Sequence, residues 1–250
     1  MKLGCIADDY TGATDLAGLL QRSQARVRLH FGIPDTPPDE SADIEIIALK
    51  IRTEPVAEAV SQALEAGRWL RSGGAERLYW KYCSTFDSTA DGNIGPVAAA
   101  LLQLTGQRRA LYCPAFPEHG RSVLMGHLFV GTELLSESSL KDHPLTPMTD
   151  ANLCRVLAPQ VDAPVALWSR LDQKAGHPIP DAPHVIADAV EFADLEHLIA
   201  HTPADTLLTG GSALAMPLPS QLGIAPNQTT ARLEPKPKAL ILSGSCSQMT

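Results

Sequence analysis

The chain has 250 residues, 44% apolar and 19% charged, with 20 Lys and Arg against 28 Asp and Glu for a formal charge of −8. This is the composition of a folded chain of one large or two small domains, and the absence of any basic block excludes nucleic acid and acidic membrane surfaces as main partners. No stretch approaches the roughly 18 apolar residues of a membrane span.

Apolar runs and helical patterns alternate from the start. Lys2–Ala7 is a short strand, too short for a signal-peptide core, and Thr11 to Gln21 is amphipathic. Ala25–Ile33 is strand-like, Asp35–Ala42 is a Pro- and Asp-rich loop, and Glu45–Arg52 reads as a buried strand. Thr53 is the expected N-cap of a helix with Pro55 in its first turn and Val56, Val60, Leu64 and Leu70 on its apolar face. Leu78–Cys83, helix Ile94–Leu104 and strand Ala110–Phe116 continue the alternation, which predicts an α/β fold with a mostly parallel sheet and crossover helices.

The second half is less regular. Ser122–Leu135 reads as a hairpin or a longer excursion, and Thr149 or Asp150 as the cap of a helix ending at Leu157. Strands at Val165–Ser169 and His184–Val190, helix Phe192–His201 and strand Thr206–Thr209 follow. Pro217 to Lys238 holds five prolines and reads as a linker, after which Ala239–Leu242 forms one more strand. The expected organisation is a domain over 1–216, a linker over 217–238 and the start of a second, cut-short domain over 239–250.

Chemistry concentrates where the expected strands end. Asp8 and Asp9 follow the first strand, at the edge where parallel sheets collect ligands; they suit a cation, substrate hydroxyls or a base, or one simply caps the next helix. Lys50 and Arg52 stand two apart, so a strand would put both on one face as a clamp for a carboxylate or phosphate. Lys81, Ser84, Asp87 and Ser88 belong to a hydroxyl-rich run from Lys81 to Gly95 that suits a polyol, with backbone N–H groups at the following helix start suited to an anion. His119 and Arg121 follow the fourth strand of the alternation and face either the same cleft or solvent. The five scattered cysteines have no CxxC spacing, which points to free thiols in a reducing cytoplasm and no zinc site. GxSxG, HExxH, GxGxxG and GxxxxGK[ST] are all missing, so the corresponding hydrolase, peptidase, dehydrogenase and P-loop readings lose their signatures.

Several long segments resemble one known family. Ile6 to Ala17, with its Asp-Asp-Tyr-Thr-Gly core, resembles the opening motif of the four-carbon acid sugar kinases. Lys81 to Thr89 with Gly92 to Val97 looks like the branch acting on 3-oxo-tetronates, and Gly126–Val130, His143–Met148 and Leu242–Ser247 fit the same branch. The resemblance implies an N-terminal substrate-binding domain, a C-terminal nucleotide-binding domain, and ATP-dependent phosphorylation of the terminal 4-hydroxyl of a four-carbon sugar acid, with Mg²⁺ shared between ATP and protein. In that reading Asp9 and Asp87 bind substrate hydroxyls and one is the base. Asp8 joins the substrate site, Arg52 and Lys81 hold the carboxylate, Ser84 and Ser88 contact hydroxyls, and Ser243, Gly244 and Ser245 meet the ATP phosphates. It also implies a cytoplasmic protein and leaves a homo-oligomer open. The family continues well beyond Thr250, so a fragment is expected, inactive as a kinase on its own. Two other classes compete: a non-catalytic sugar-acid-binding module, and an acid-pair phosphatase or phosphoacceptor domain with Asp8 or Asp9 as nucleophile.

Overall fold

A computed structural model describes residues 1–38 and 41–226. In chain order the elements are β1 (Leu3–Ala7), α1 (Tyr10–Gln21), β2 (Val27–Phe31), β3 (Ile44–Ala48), α2 (Val56–Ser72), β4 (Arg77–Lys81), α3 (Ile94–Thr105) and β5 (Arg109–Cys113). There follow β6 (Arg121–Leu124), β7 (His127–Val130), β8 (Glu133–Leu134), α4 (Leu153–Leu157), β9 (Val165–Trp168), α5 (Arg170–Lys174), β10 (His184–Ala187), α6 (Phe192–His201), β11 (Thr206–Gly210) and α7 (Leu218–Gln221).

Eight parallel strands make one sheet in the order β2-β3-β1-β4-β11-β5-β10-β9. β1, β3, β5 and β11 are buried at every residue, as strands covered on both faces must be. The excursion expected at Ser122–Leu135 is a three-stranded antiparallel sheet, β6-β7-β8. Among the described residues, no helix is long and apolar enough to cross a membrane.

The strand order fixes which face each helix covers. From β1 the chain moves to one side of the sheet, and from β3 and β4 it moves to the other. Right-handed crossovers then place α1 on one face, and α2 with α3 on the opposite one. α2 packs on α3, whereas α1 packs on the short 3-10 turn Ser212–Ala215 that follows β11. Neighbouring strands β1 and β4 therefore send their helices to opposite faces. The sheet opens a crevice at their carboxyl ends, and Asp8, Asp9 and Lys81 stand there.

Some local expectations are corrected. β3 stops at Ala48, so Lys50 and Arg52 lie in the loop beyond it rather than on one strand face. Lys50 sits over the Tyr10 ring at 5.9 Å, whereas Arg52 turns to Asp8. Pro55, not Thr53, is the N-cap of α2 and offers no side-chain bond, because its ring carries no acceptor, while its fixed φ sets the bend. α4 is capped by Asn152, whose Oδ1 accepts from Arg155 N; Asp150 instead supports that cap by accepting from Asn152 N. Residues 217–222 are not a free linker: Leu218 is fully buried and Gln221 donates to the Ile199 carbonyl. The strand expected at 239–242 and Ser243, Gly244 and Ser245 lie outside the described residues.

Asn93 at the start of α3 does not cap its own helix. Its buried Nδ2 reaches across the crevice to the carbonyls of Ile51 at 2.6 Å and Glu54 at 2.8 Å, clamping the loop that carries Arg52. Asn93→Ala leaves those carbonyls without their donor, a loss of about 2 kcal/mol or more, which in a domain of this size lowers Tm by about 4–8 °C. Thermal unfolding checks this; an unchanged Tm would mean that the loop holds itself.

Candidate functional site

Arg52 is the centre of the crevice. Its guanidinium donates to Asp8 through Nε at 2.7 Å and Nη2 at 3.0 Å, a two-pronged pair. Nη2 also lies 3.1 Å from Asp9 Oδ1, and Nη1 lies 3.7 Å from Asp87 Oδ2. One cation thus gathers three carboxylates from two strand ends. Backbone bonds from Asp8 N to Lys81 O and from Ile51 N to Asp8 O lace the same segments together.

The electrostatics follow from burial. Asp8 is 3% exposed, and desolvation raises its carboxyl above the ordinary value, with Arg52 and Lys81 pulling the other way. Burial also opposes the charge on Arg52, but the Asp8 carboxylate outweighs it and holds the guanidinium firmly protonated. Burial, with Asp87 adding to it, pushes the Cys83 thiol up to about 11, so this cleft-lining sulfur is a neutral group and not a nucleophile.

Asp9 has two jobs. As N-cap of α1 its Oδ1 accepts from Gly12 N at 2.8 Å, as the plainer reading of the acid pair expected. Its side chain also lines a cleft of about 280 Å³ together with Gly12, Arg52, Lys81, Ser84 and Ser212. A Cβ on Gly12 would overlap Lys81 Nζ and Asp9 Oδ1, so the glycine leaves room for both side-chain ends where they stand.

Lys81 is a cation of the site with no direct partner among the described residues. It is 3% exposed, yet among the described residues neither a hydrogen bond nor an ion pair reaches its Nζ. Its counter-charges stand just beyond ion-pair reach, since it acts through space on the Asp8 carboxylate and faces Asp9 Oδ1 across Gly12, which leaves its N–H groups open to a bound anion.

The structure thus brings Asp8, Asp9, Arg52, Lys81 and Ser84 to one crevice, with two qualifications. Asp87 does not line the cleft: it is 9% exposed, takes the Thr85 hydroxyl at 2.6 Å, and faces Arg52. It is held there by Phe86, a buried residue in the left-handed region at φ +53° whose ring packs edge-on against Tyr82. Ser88 is turned away, accepting from Gln160 Nε2 at 2.8 Å. The anion expected at the start of α3 is likewise displaced, because Gly95 N donates to Gln160 Oε1 and that turn is buried. His119 does face the cleft, stacked on Phe116 with centroids 3.9 Å apart, while Arg121 lines the neighbouring cleft of about 400 Å³. The sequence reading missed Ser212 and the Gly210-Gly211 turn before it. Their signal was available: a small-residue turn at the end of a buried strand, like the run after β4. Among the described residues no three His, Cys, Asp or Glu gather as a metal-ion ligand set, since the acids converge on Arg52.

The family described as a sugar-binding N-terminal domain matches residues 3–218. The chain belongs to that family. A Pseudomonas fluorescens protein named 3-oxo-tetronate kinase is 47% identical over 99% of this chain and 61% of its own length. A protein of the same name from Pseudomonas savastanoi pv. phaseolicola is 49% identical over 87% of this chain and 53% of its own. The crystal structure of a Haemophilus influenzae protein superposes with a TM-score of 0.84 at 40% identity, covering 98% of this chain and 62% of that one. A Bordetella bronchiseptica protein, crystallised as a domain-swapped dimer with bound citrate, gives 0.70 at 28% identity over 87% of this chain and 55% of its own. This sugar-binding domain therefore corresponds to the N-terminal part of the kinases it resembles and spans 61% of the first of them.

Arg52→Met tests the centre of the site. In the variant Asp8 stays buried without its cation, so its folded-state pKa, already raised by burial, moves further above its unfolded value. The stability tied to its proton is then present below the ordinary carboxylate range and lost as pH rises through the raised value. The variant should be about 3 kcal/mol or more less stable than wild type at neutral pH, with the gap shrinking as pH falls towards 4. Urea unfolding at several pH values reads this out, and a gap independent of pH would locate the damage away from Asp8.

Proposed function

We propose that this domain binds the sugar acid for an ATP-dependent kinase that phosphorylates the 4-hydroxyl of a 3-oxo-tetronate. The observation that carries the reading is Lys81, whose ammonium makes no direct hydrogen bond or ion pair among the described residues, on the wall of a cleft that also holds Asp9 and the hydroxyls of Thr11, Ser84 and Ser212. A small polyhydroxylated anion answers both features: its carboxylate takes the ammonium and its hydroxyls meet Asp9 and Ser84. The kinase names of the relatives supply the reaction, and the citrate in the Bordetella protein shows a carboxylic acid bound to a relative.

Each residue then has a share. Lys81 binds the carboxylate, a role the sequence reading divided with Arg52; with Arg52 spent on Asp8, the ammonium is the available cation. Asp9, whose Oδ2 takes no hydrogen bond among the described residues, accepts from the hydroxyl that attacks and is the better-placed base. Asp87 acts through Arg52 as a positioning residue, and Asp8 fixes Arg52 in turn. ATP and its Mg²⁺ are held by other parts of the protein, and the reading assigns Ser243, Gly244 and Ser245 to the phosphates. The protein works in the cytoplasm, where ATP is supplied. A nucleophilic Asp8 fits less well, because Asp8 is buried in the Arg52 fork.

Lys81→Met keeps the length and apolar stem of the side chain and removes its charge. Threonate affinity measured by calorimetry should fall by about 10- to 150-fold, the value of one charge-assisted hydrogen bond, with an unchanged circular dichroism spectrum. Equal affinities would move the carboxylate pocket elsewhere. In the complete gene product, Asp9→Asn should lower kcat about 100-fold or more and leave the KM for ATP within a few-fold; an unaltered kcat would remove Asp9 from proton transfer.

A further inference from the structure

The turn after β11 holds a hydroxyl that neither the sequence motifs nor the relatives assign. Ser212 is 2% exposed and stands on the wall of the same cleft, and its Oγ finds no hydrogen-bond partner among the described residues. Leaving a buried hydroxyl unpaired is unfavourable.

The approach to Ser212 is closely specified. Gly210 is the register partner of Lys81 on the neighbouring strand, which puts Ser212 one strand over from the ammonium. A Cβ on Gly210 would overlap the Cys113 carbonyl, and one on Gly211 would sit 2.9 Å from the Pro114 carbonyl, so both glycines are needed for the chain to pass. The buried Tyr79 hydroxyl donates to the Gly211 carbonyl at 2.5 Å and pins the turn from below. Two glycines and a tyrosine thus place a serine whose own hydroxyl is unused.

We infer that Ser212 is a specificity residue for the sugar acid, donating its hydroxyl to the oxygen on C3. This rests on the sugar-acid reading of the cleft. The C3 oxygen can accept a hydrogen bond both as the ketone of a 3-oxo-tetronate and as the hydroxyl of threonate, and that bond needs a donor that is not already committed. Lys81 is taken by the carboxylate, Arg52 by three carboxylates, and Asp9 can only accept. Ser84, Thr11 and His119, the other donors on this wall, are all more exposed than Ser212. The Ser212 Oγ–H is sheltered and unspent, and rotation about one bond turns it to the cleft. Tyr79 acts through the turn as a positioning residue.

The test is calorimetric titration of wild type, Ser212→Ala and Tyr79→Phe with threonate and with 2,4-dihydroxybutanoate, which lacks the C3 oxygen. Wild type should prefer threonate. Ser212→Ala should lose about 5- to 10-fold in threonate affinity, bind 2,4-dihydroxybutanoate as wild type does, and keep or raise Tm, since it removes a group unsatisfied in the free protein. Tyr79→Phe should lose part of the same preference with a lower Tm. If wild type binds threonate and Ser212→Ala keeps the full preference, the Ser212 assignment is overturned and the cleft reading stands. If wild type binds neither acid, the cleft reading and this inference both fail. A drop in Tm for Ser212→Ala with equal losses for both acids would make Ser212 structural, which also overturns the assignment.

Discussion

The bidentate pair between Arg52 and Asp8 is the interaction on which the rest of the crevice depends. Three carboxylates come within ion-pair distance of one guanidinium, and without it their mutual repulsion in a buried place would splay the loops after β1, β3 and β4. Lys81 remains a second cation with no direct hydrogen bond or ion pair among the described residues. Paired charge gives the crevice its shape, and in the proposed function the ammonium that lacks a direct partner receives the anion. Asn93 extends the same arrangement from the opposite face of the sheet by holding the carbonyls on either side of Arg52.

The sheet order explains why these groups meet. β1 and β4 are neighbours, but α1 and α3 leave them towards opposite faces, so their carboxyl ends are open and adjacent. β11 enters the sheet last and takes the place beside β4, adding the Gly210-Gly211-Ser212 turn to a crevice founded by residues some 200 positions earlier in the chain. Small residues recur where backbone and charge must approach closely: Gly12 beside the Lys81 ammonium, and Gly210 against the Cys113 carbonyl. The cleft is therefore shaped by what is left out at those positions.

Much of this was legible in the sequence, and the gaps have physical causes. Buried parallel strands announce themselves as continuous apolar runs, so β1, β3, β4, β5 and β11 were readable within a few residues, and the acids and Lys81 stood out at their ends. Whether a charged side chain is spent or free was not readable. Arg52 and Lys81 look alike in one dimension, and only the fold shows that Asp8, 44 residues away, consumes the first and leaves the second. Asn93 and Thr53 carry the marks of helix caps, but a side chain caps only when nothing better is within reach, and Asn93 had the Arg52 loop. Ser88 was misplaced for the same reason, since Gln160 reaches it across 72 residues. Ser212 was missed because a Gly-Gly-Ser turn is common; its meaning comes from the orphaned hydroxyl.

The central claim is that Arg52 builds the crevice and Lys81 receives the ligand. A crystal structure of the chain with threonate addresses it directly. The account predicts a carboxylate oxygen within about 3 Å of Lys81 Nζ, with the Arg52–Asp8 pair intact. A carboxylate seated on Arg52 with Asp8 displaced, and Lys81 still without a partner, would contradict it.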